Sequence, residues 1–305
     1  MPGRLLWEPA IYEHKAALIG RPPADVAYSA DLLCDAMVAE YQQYRADLLT
    51  VGVDIYNIEA EACGAKVDAI SSESCPEIAS PPWSIDDLPE LRLPDIPHAG
   101  RFSLIAEATL LARRRIGDAA CLRAGVSGPV SIAAKLVGLE ALIMSAACAE
   151  PAAGKLLEFS LQLALRWTGY LRGRGVDVVL FDSAASPPNF SPDMYCQMVL
   201  PLHQRLMAHL KQAGQVDRPL VMGGDTISIV DALCASGATT ILCDYAADAE
   251  RFAAGIPSDA RISIRRNVSP PVLADDPIVA ADRFVHDLRQ FASPIAGTGI
   301  LPYDF

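Results

Sequence analysis

LLTVGVDIYNIEAEACGAKV, residues 48–67, opens as an apolar, β-branched run and then changes character abruptly. The first half reads as a strand buried in a parallel sheet. Its end is crowded with carboxylates: Asp54, Glu59 and Glu61 fall close together, with Tyr56 and Asn57 between them. In α/β proteins the C-terminal ends of strands carry the ligand site, so this stretch is expected to form the floor of one. The plainer reading is that Glu59 and Glu61 only begin a helix, where acids complement the macrodipole.

Working outward, residues 8–20 and 29–47 show helical periodicity and are separated by Arg21-Pro22-Pro23, which predicts two helices before the first strand. Residues 71–98 are rich in Pro, Ser and acid, with Trp83 and Cys75 standing out. They are too long for a simple connection and are expected to form an excursion over the site. Beyond them an amphipathic helix runs to Ile116, a strand from Ala119 to Val126, a helix from Ser131 and another over about 155–172. The strands VDVVLFD, PLVMGGD, TTILCD and RISIRRN follow, each before a helical pattern, and Ser293 to Gly297 begins a last strand. Strands spaced by helices predict a parallel sheet. Seven clear strands and one unclear favour a closed (β/α)8 TIM barrel with an N-terminal helical extension in residues 1–47, a single domain over 1–305. An open doubly wound sheet is the alternative.

Composition narrows the partners. A formal charge of -12 argues against nucleic acid and against an anionic membrane, since both require a basic surface. The eight cysteines include no C-x-x-C pair and read as buried free thiols in a reducing, cytoplasmic setting. The N-terminus lacks an apolar secretory core, and the greasiest stretch, Ser131 to Ala149, is interrupted by Lys135, Gly138 and Glu140, as expected of a buried helix. No G-x-G-x-x-G follows any strand and no P-loop is present, so dinucleotide and P-loop chemistry lack their usual support. Homodimerisation stays open.

If the barrel is right, its strand ends collect Asp54, Tyr56, Glu59 and Glu61, then Arg123 and Ser127, then Asp182 and Ser183. Gly223, Gly224, Asp225 and Thr226 follow from MGGDT, Asp244 and Tyr245 from CDY, and Arg266 with Asn267 from RRN. Crowded carboxylates raise one another's pKa, which suits proton transfer, or they bind a cation. Taken singly, each is as well explained by a helix cap or a surface acid. Glu59, Glu61 and Asp182 are the catalytic candidates, and the others are candidate substrate contacts. No His-x-x-x-His spacing points to a zinc site.

Three segments resemble the uroporphyrinogen decarboxylase superfamily, and within it the corrinoid (methylcobamide) methyltransferase branch. IEAEACGAKV resembles that branch's E-A-E-A-x-G segment, GVSGPVSIAAKLVG its G-P helix start, and FDSAASPPNFSPDMY a strand-to-helix passage containing S-P. The resemblance implies the (β/α)8 barrel and methyl transfer to or from a small molecule, with a corrinoid such as methylcobalamin carried by a separate corrinoid-binding protein. Two departures matter. WEPAIYEHKAALIG lacks the arginine motif with which the decarboxylases grip a tetrapyrrole, and Val221, Gly223 and Thr298 stand where the thiol-using methyltransferases place zinc ligands. The expectation is therefore a methyltransferase of non-zinc type, with no bound metal. A decarboxylating lyase that uses Arg123 and Arg266 for the departing carboxylate is one alternative, and a non-catalytic ligand-binding homologue is the other. The excess of acids predicts a pocket that prefers neutral or cationic ligands to multiply anionic ones.

Overall fold

The computed structural model describes residues 6–270 apart from 69–70 and 72–73, and beyond them residues 279, 281–283 and 285–286. Within these, one sheet contains β1 (Leu48–Val51), β2 (Cys121–Ser127), β3 (Asp177–Phe181), β4 (Pro219–Val221), β5 (Thr240–Cys243) and β6 (Ser263–Arg266). They lie side by side in chain order and every neighbouring pair is parallel. A doubly wound sheet reverses direction at a switch point, and this order has none, so the alternative architecture is removed.

The sheet is curled. One carboxylate oxygen, Glu8 Oε2, accepts a hydrogen bond from Arg123 Nη2 of β2 at 2.7 Å and lies 2.9 Å from Arg265 Nη1 of β6. In a flat sheet strands four positions apart would be about 19 Å from each other. Both guanidiniums reach the same atom only because the sheet bends into at least a half-barrel. The expected last strand, Ser293 to Gly297, lies outside the described residues, as does Thr298.

Strand parity decides what faces where. Leu122, Ala124, Val126, Val178, Leu180, Leu220 and Ile241 join the main core against the helices. The alternate residues of β3 to β5, namely Val179, Phe181, Val221 and Leu242, form a separate interior cluster with Ile55. The helices around the sheet include α1 (Ala30–Tyr44), α2 (Ile58–Ala62), α3 (Phe102–Ile116), α4 (Pro129–Val137), α5 (Leu139–Ala147), α6 (Pro151–Arg172) and α7 (Leu200–Gln212). Ser29 caps α1 by accepting from Leu32 N–H at 3.2 Å. On α6, Leu156, Leu163, Trp167 and Leu171 are fully buried, and the Trp167 ring packs on Phe102 of α3 with centroids 4.5 Å apart. Each such side chain contributes about 1.5–3 kcal/mol by leaving water.

Several expectations are revised. Residues 8–20 are not one helix: only His14–Ala17 is helical, followed by a short turn of helix at Pro23–Ala27. The preceding residues instead run past β1, where Trp7 O accepts from Asp47 and Leu48 N–H, and they send Glu8 and Tyr12 toward the barrel interior. The greasy stretch after Ser127 is two helices, α4 and α5, bent by 111° around Gly138, whose φ of +89° suits glycine. No single helix among the described residues is long and apolar enough to cross a membrane. Cys148 and Cys196 are exposed rather than buried, the first at the end of α5 and the second in a π-helical turn, Tyr195–Val199.

The excursion over 71–98 starts at the site and then leaves it. Cys75 Sγ reaches Val53 O at 2.9 Å and Pro76 O accepts from Asn57 Nδ2 at 2.6 Å. Further on, the Trp83 ring packs edge-on against Phe159 of α6 and its backbone N–H donates to Leu136 O of α4, so the middle of the excursion covers outer helices.

Candidate functional site

The acidic segment after β1 resolves into two neighbouring carboxylate environments that differ sharply. Glu59, on the first turn of α2, is 1% exposed. Its Oε1 accepts from Ser127 N–H at the end of β2 (2.9 Å), while its Oε2 is buried with no hydrogen-bond partner. Burial pushes the carboxyl pKa up to about 7, the bonds from Ser127 offsetting this only partly and the charge of Asp54 adding to it. A buried carboxyl that exchanges its proton near neutrality is what general acid–base chemistry needs.

Asp54 and Glu61 are committed to Arg101, which the sequence reading did not single out. The guanidinium gives Asp54 two bonds, at 2.8 and 2.6 Å, gives Glu61 one at 2.5 Å, and bonds Ala27 O at 3.3 Å. The Tyr28 ring lies against it at 4.4 Å and Tyr28 Oη donates to Glu61 at 2.7 Å. Burial opposes the Arg101 charge, but the two carboxylates outweigh it and hold its pKa above the ordinary value. This cation anchors the loop that carries Glu59. Both carboxylate oxygens of Glu61, a catalytic candidate from the sequence, are thus engaged, one by Arg101 and the other by Tyr28.

Asp182 has a similar fate. Fully buried, it accepts from Ser131 N–H (2.6 Å) and Val130 N–H (3.3 Å), the open N-terminus of α4, and meets His203 Nε2 at 2.8 Å. His203 Nδ1 in turn meets Tyr195 Oη at 3.0 Å. A Cβ at residue 128 would overlap the Asp182 carboxylate, which explains Gly128 before Pro129. Every polar atom of Asp182 is occupied by this capping arrangement.

The later strand ends do converge. Ser183 Oγ accepts from Gly223 N–H at 3.0 Å and faces Tyr56 Oη at 3.5 Å. Asp244 accepts from Gly224 N–H, Ala246 N–H and Asn267 Nδ2, and Asn267 Oδ1 accepts from Tyr245 N–H at 2.6 Å. Gly224 has φ +87°, which its turn requires. Arg266 donates to the carbonyls of Asp244, Tyr245 and Ala247, so it staples the loops rather than offering itself to a ligand. Asp225 is exposed and caps its own turn through Ile227 N–H, while Thr226 is buried beside it. Arg123 lies well away from the mouth: it is the third residue of β2, four before Ser127, and is buried between Glu8 and Asp217. The expected crowd of unscreened acids is therefore mostly paired, and Glu59 is the exception.

Beneath the mouth, Tyr12 and Tyr56 border the interior cluster, Tyr56 edge-on to Phe181 with centroids 6.0 Å apart. A Cβ at Gly125 would come within 2.9 Å of Ile55, so the glycine makes room for Ile55 inside the barrel. A groove of about 290 Å³ between α3 and α6, lined by Leu110, Arg114, Tyr170 and Arg174, lies outside the barrel and adjoins none of these residues.

Comparison with known proteins places this geometry. The chain matches the uroporphyrinogen decarboxylase (URO-D) family over residues 10–293. It is 23% identical to the methylcobamide:CoM methyltransferase MtaA of Methanosarcina barkeri over 180 residues, 58% of this chain and 52% of that protein, so the match spans about half the relative's length. Among solved structures, a methyltransferase from Methanosarcina mazei superposes with a TM-score of 0.84 at 17% identity, covering 99% of this chain and 87% of the other. At that identity the likeness establishes the fold.

Proposed function

The chain belongs to the uroporphyrinogen decarboxylase family, and from that premise we propose that it is a corrinoid-linked methyltransferase acting on a small molecule in the barrel mouth. The names of its relatives support methyl transfer. The observation that carries the reading is Glu59 Oε2, a buried and unpartnered carboxyl oxygen on a group held near neutral pKa. When a methyl group leaves oxygen, nitrogen or sulfur the heteroatom gains a proton, and when a methyl group arrives there the heteroatom loses one; in this reading Glu59 gives the proton in the first direction and takes it in the second. A corrinoid on a docked partner protein supplies the methyl-carrying centre. This chain binds and orients the small molecule, with Ser127 N–H fixing Glu59, and Tyr56, Ser183, Gly223 and Asp244 shaping the mouth.

Zinc does not fit the residues at hand. By the resemblance Val221 and Gly223 stand at zinc-ligand positions, and neither brings a donor side chain. The decarboxylase alternative is weakened, because Arg123 and Arg266, the residues it assigned to the departing carboxylate, are bound to Glu8, Asp217 and loop carbonyls. Incubation with methylcobalamin and a panel of thiol, amine and phenol acceptors tests the proposal. Loss of the methyl group from methylcobalamin, slowed about 10²–10⁴-fold in Glu59→Gln, is expected. No demethylation with any acceptor and no association with a corrinoid protein would overturn it.

A further inference from the structure

On α3, Ser103, Glu107, Leu110 and Arg114 recur at steps of three or four, the spacing of one helix face, and this is the less buried face of the helix. Across a groove of about 290 Å³ it confronts Tyr170 and Arg174 at the end of α6. The basic residues here come from two short runs, RRR at 113–115 and RGR at 172–174. Cations at helix C-termini complement the macrodipole, and two of these five also have a carboxylate at hand, Arg115 with Asp35 and Arg172 with Asp177. Among the described residues no carboxylate pairs with Arg113, Arg114 or Arg174. The three lie together: Arg114 and Arg174 line the one groove, and a Cβ at Gly175 would stand 3.7 Å from Arg113 Nη1. In a chain of formal charge -12 this is a local reversal of sign.

Arg174 is also held in place. Its guanidinium carbon lies 3.5 Å from the centre of the Tyr170 ring, and Nη1 donates to Tyr170 O at 3.4 Å. Tyr170 in turn stacks on Trp167 with centroids 5.7 Å apart, and Trp167 packs on Phe102 of α3. A column of rings thus rises from the core and ends in a cation at the groove. An exposed arginine ordinarily loses much side-chain freedom when it binds a ligand, and the stack removes part of that freedom beforehand. Glu107 lines the groove as well, but it stands seven residues before Arg114, about 10 Å along the helix. The groove therefore has a basic end and an acidic end, with Leu110 and Leu111 between them.

We propose that this groove is a second ligand site, separate from the barrel mouth, and that it takes a small phosphate monoester. The phosphoryl group sits between Arg114 and Arg174 with Arg113 adding charge, and the apolar body lies against Leu110 and Leu111. A carboxylate presents one edge and suits one guanidinium. Two guanidiniums arriving from separate helices suit a phosphoryl group, which has three oxygens and close to two negative charges. The volume stands at the lower end of ordinary ligand pockets, about 300–1,000 Å³, so the body is small. The chain passes from α3 into the start of β2 and from α6 into the start of β3, whereas Glu59 meets Ser127 at the far end of β2. That strand spans about 20 Å, so the occupant does not reach Glu59 and is an effector rather than the substrate.

The test is calorimetric titration of the purified full chain with phenyl phosphate, phenyl sulfate and benzyl alcohol at low ionic strength, where exposed charges are least screened. Wild type is expected to bind phenyl phosphate in the millimolar range or better, phenyl sulfate more weakly and benzyl alcohol not measurably. Arg114→Gln and Arg174→Gln should each weaken phenyl phosphate about tenfold, the loss of one charge-assisted contact. Both residues are exposed, so thermal melts should not move. Tyr170→Leu keeps every charge and removes the face on which Arg174 rests, and a severalfold loss is expected. Arg92→Gln, at an exposed arginine of the 71–98 excursion, should change nothing. No saturable binding of phenyl phosphate would overturn the proposal, as would phenyl sulfate bound equally well. Unchanged affinity in both groove variants, or an equal loss in Arg92→Gln, would overturn it too. No methyl transfer is involved, so failure here leaves the Glu59 chemistry standing, and inactivity toward methylcobalamin leaves the groove standing.

Discussion

Two glutamates, both almost wholly buried, hold opposite ends of the barrel interior. Glu8 at the floor has its pKa brought down to about 2: burial alone would raise it, but the charges of Arg123 and Arg265 and the Thr50 hydroxyl outweigh burial. Glu59 at the mouth is pushed up to about 7, because burial there meets only hydrogen bonds from Ser127 and its own backbone. Loss of water is common to both, and the partner decides the protonation state. The floor is built to stay ionised and rigid, the mouth to exchange a proton.

Breaking the floor should have the largest effect. Arg123→Met removes a bond to Glu8 and another to Asp217, leaving buried Glu8 with Arg265 as its remaining cation and half-buried Asp217 without this guanidinium. Removal of one partner from such a network costs about 3–5 kcal/mol. Urea melts at neutral pH should show a loss of that size, and a loss below about 1 kcal/mol would mean that water reaches the floor and screens it.

A pH scan sharpens the same contrast with a smaller effect. The folded-state pKa of Glu8 lies below its ordinary 4.5, at about 2, so its contribution is complete above 4.5 and disappears as pH falls toward 2. A shift of that size corresponds to roughly 3 kcal/mol at most. Wild type should lose stability over this window more steeply than Glu8→Gln, and parallel curves for the two proteins would show that Glu8 titrates normally.

The sequence announced the sheet because parallel strands carry continuous apolar runs, and it announced the C-terminal ends because polar residues end those runs. What it concealed lies at long range. Arg101 follows an excursion of nearly thirty residues, and nothing local ties it to Asp54 or Glu61. The one available signal was electrostatic: several acids predicted at one strand end require a buried cation. Arg123 was misplaced through neglect of distance along the strand. In CLRAGVS the period of two puts Arg123, Gly125 and Ser127 on the inner face, but Arg123 comes four residues too early for the mouth. Glu8 was hidden for a different reason, since WEPAIYEHK has helical spacing, yet its Glu and Tyr are recruited by the interior and tertiary demand overrides propensity. The contacts of Asp182 were hidden too, because the backbone N-terminus it meets follows the neighbouring strand, some fifty residues earlier, and cannot be read from composition.

The smallest and most discriminating effect on stability belongs to Glu59→Gln. Glu59 holds its proton in the folded chain up to about pH 7, whereas the unfolded chain releases it near 4.5. The folded state binds more protons between those values, so wild-type stability falls as pH rises through that window, and the penalty is complete above it. Glutamine is uncharged at every pH and keeps an oxygen for Ser127 N–H. It leaves an amide NH₂ where Oε2 now lies unpartnered, which reduces the gain. The balance predicts that Glu59→Gln is about 1–2 kcal/mol more stable than wild type at pH 8 and equal to it or slightly weaker at pH 4. Thermal melts at the two pH values measure this directly. A variant destabilised at both would show that Glu59 is an ionised structural partner, like Glu8, and the distinction between floor and mouth would fall with it.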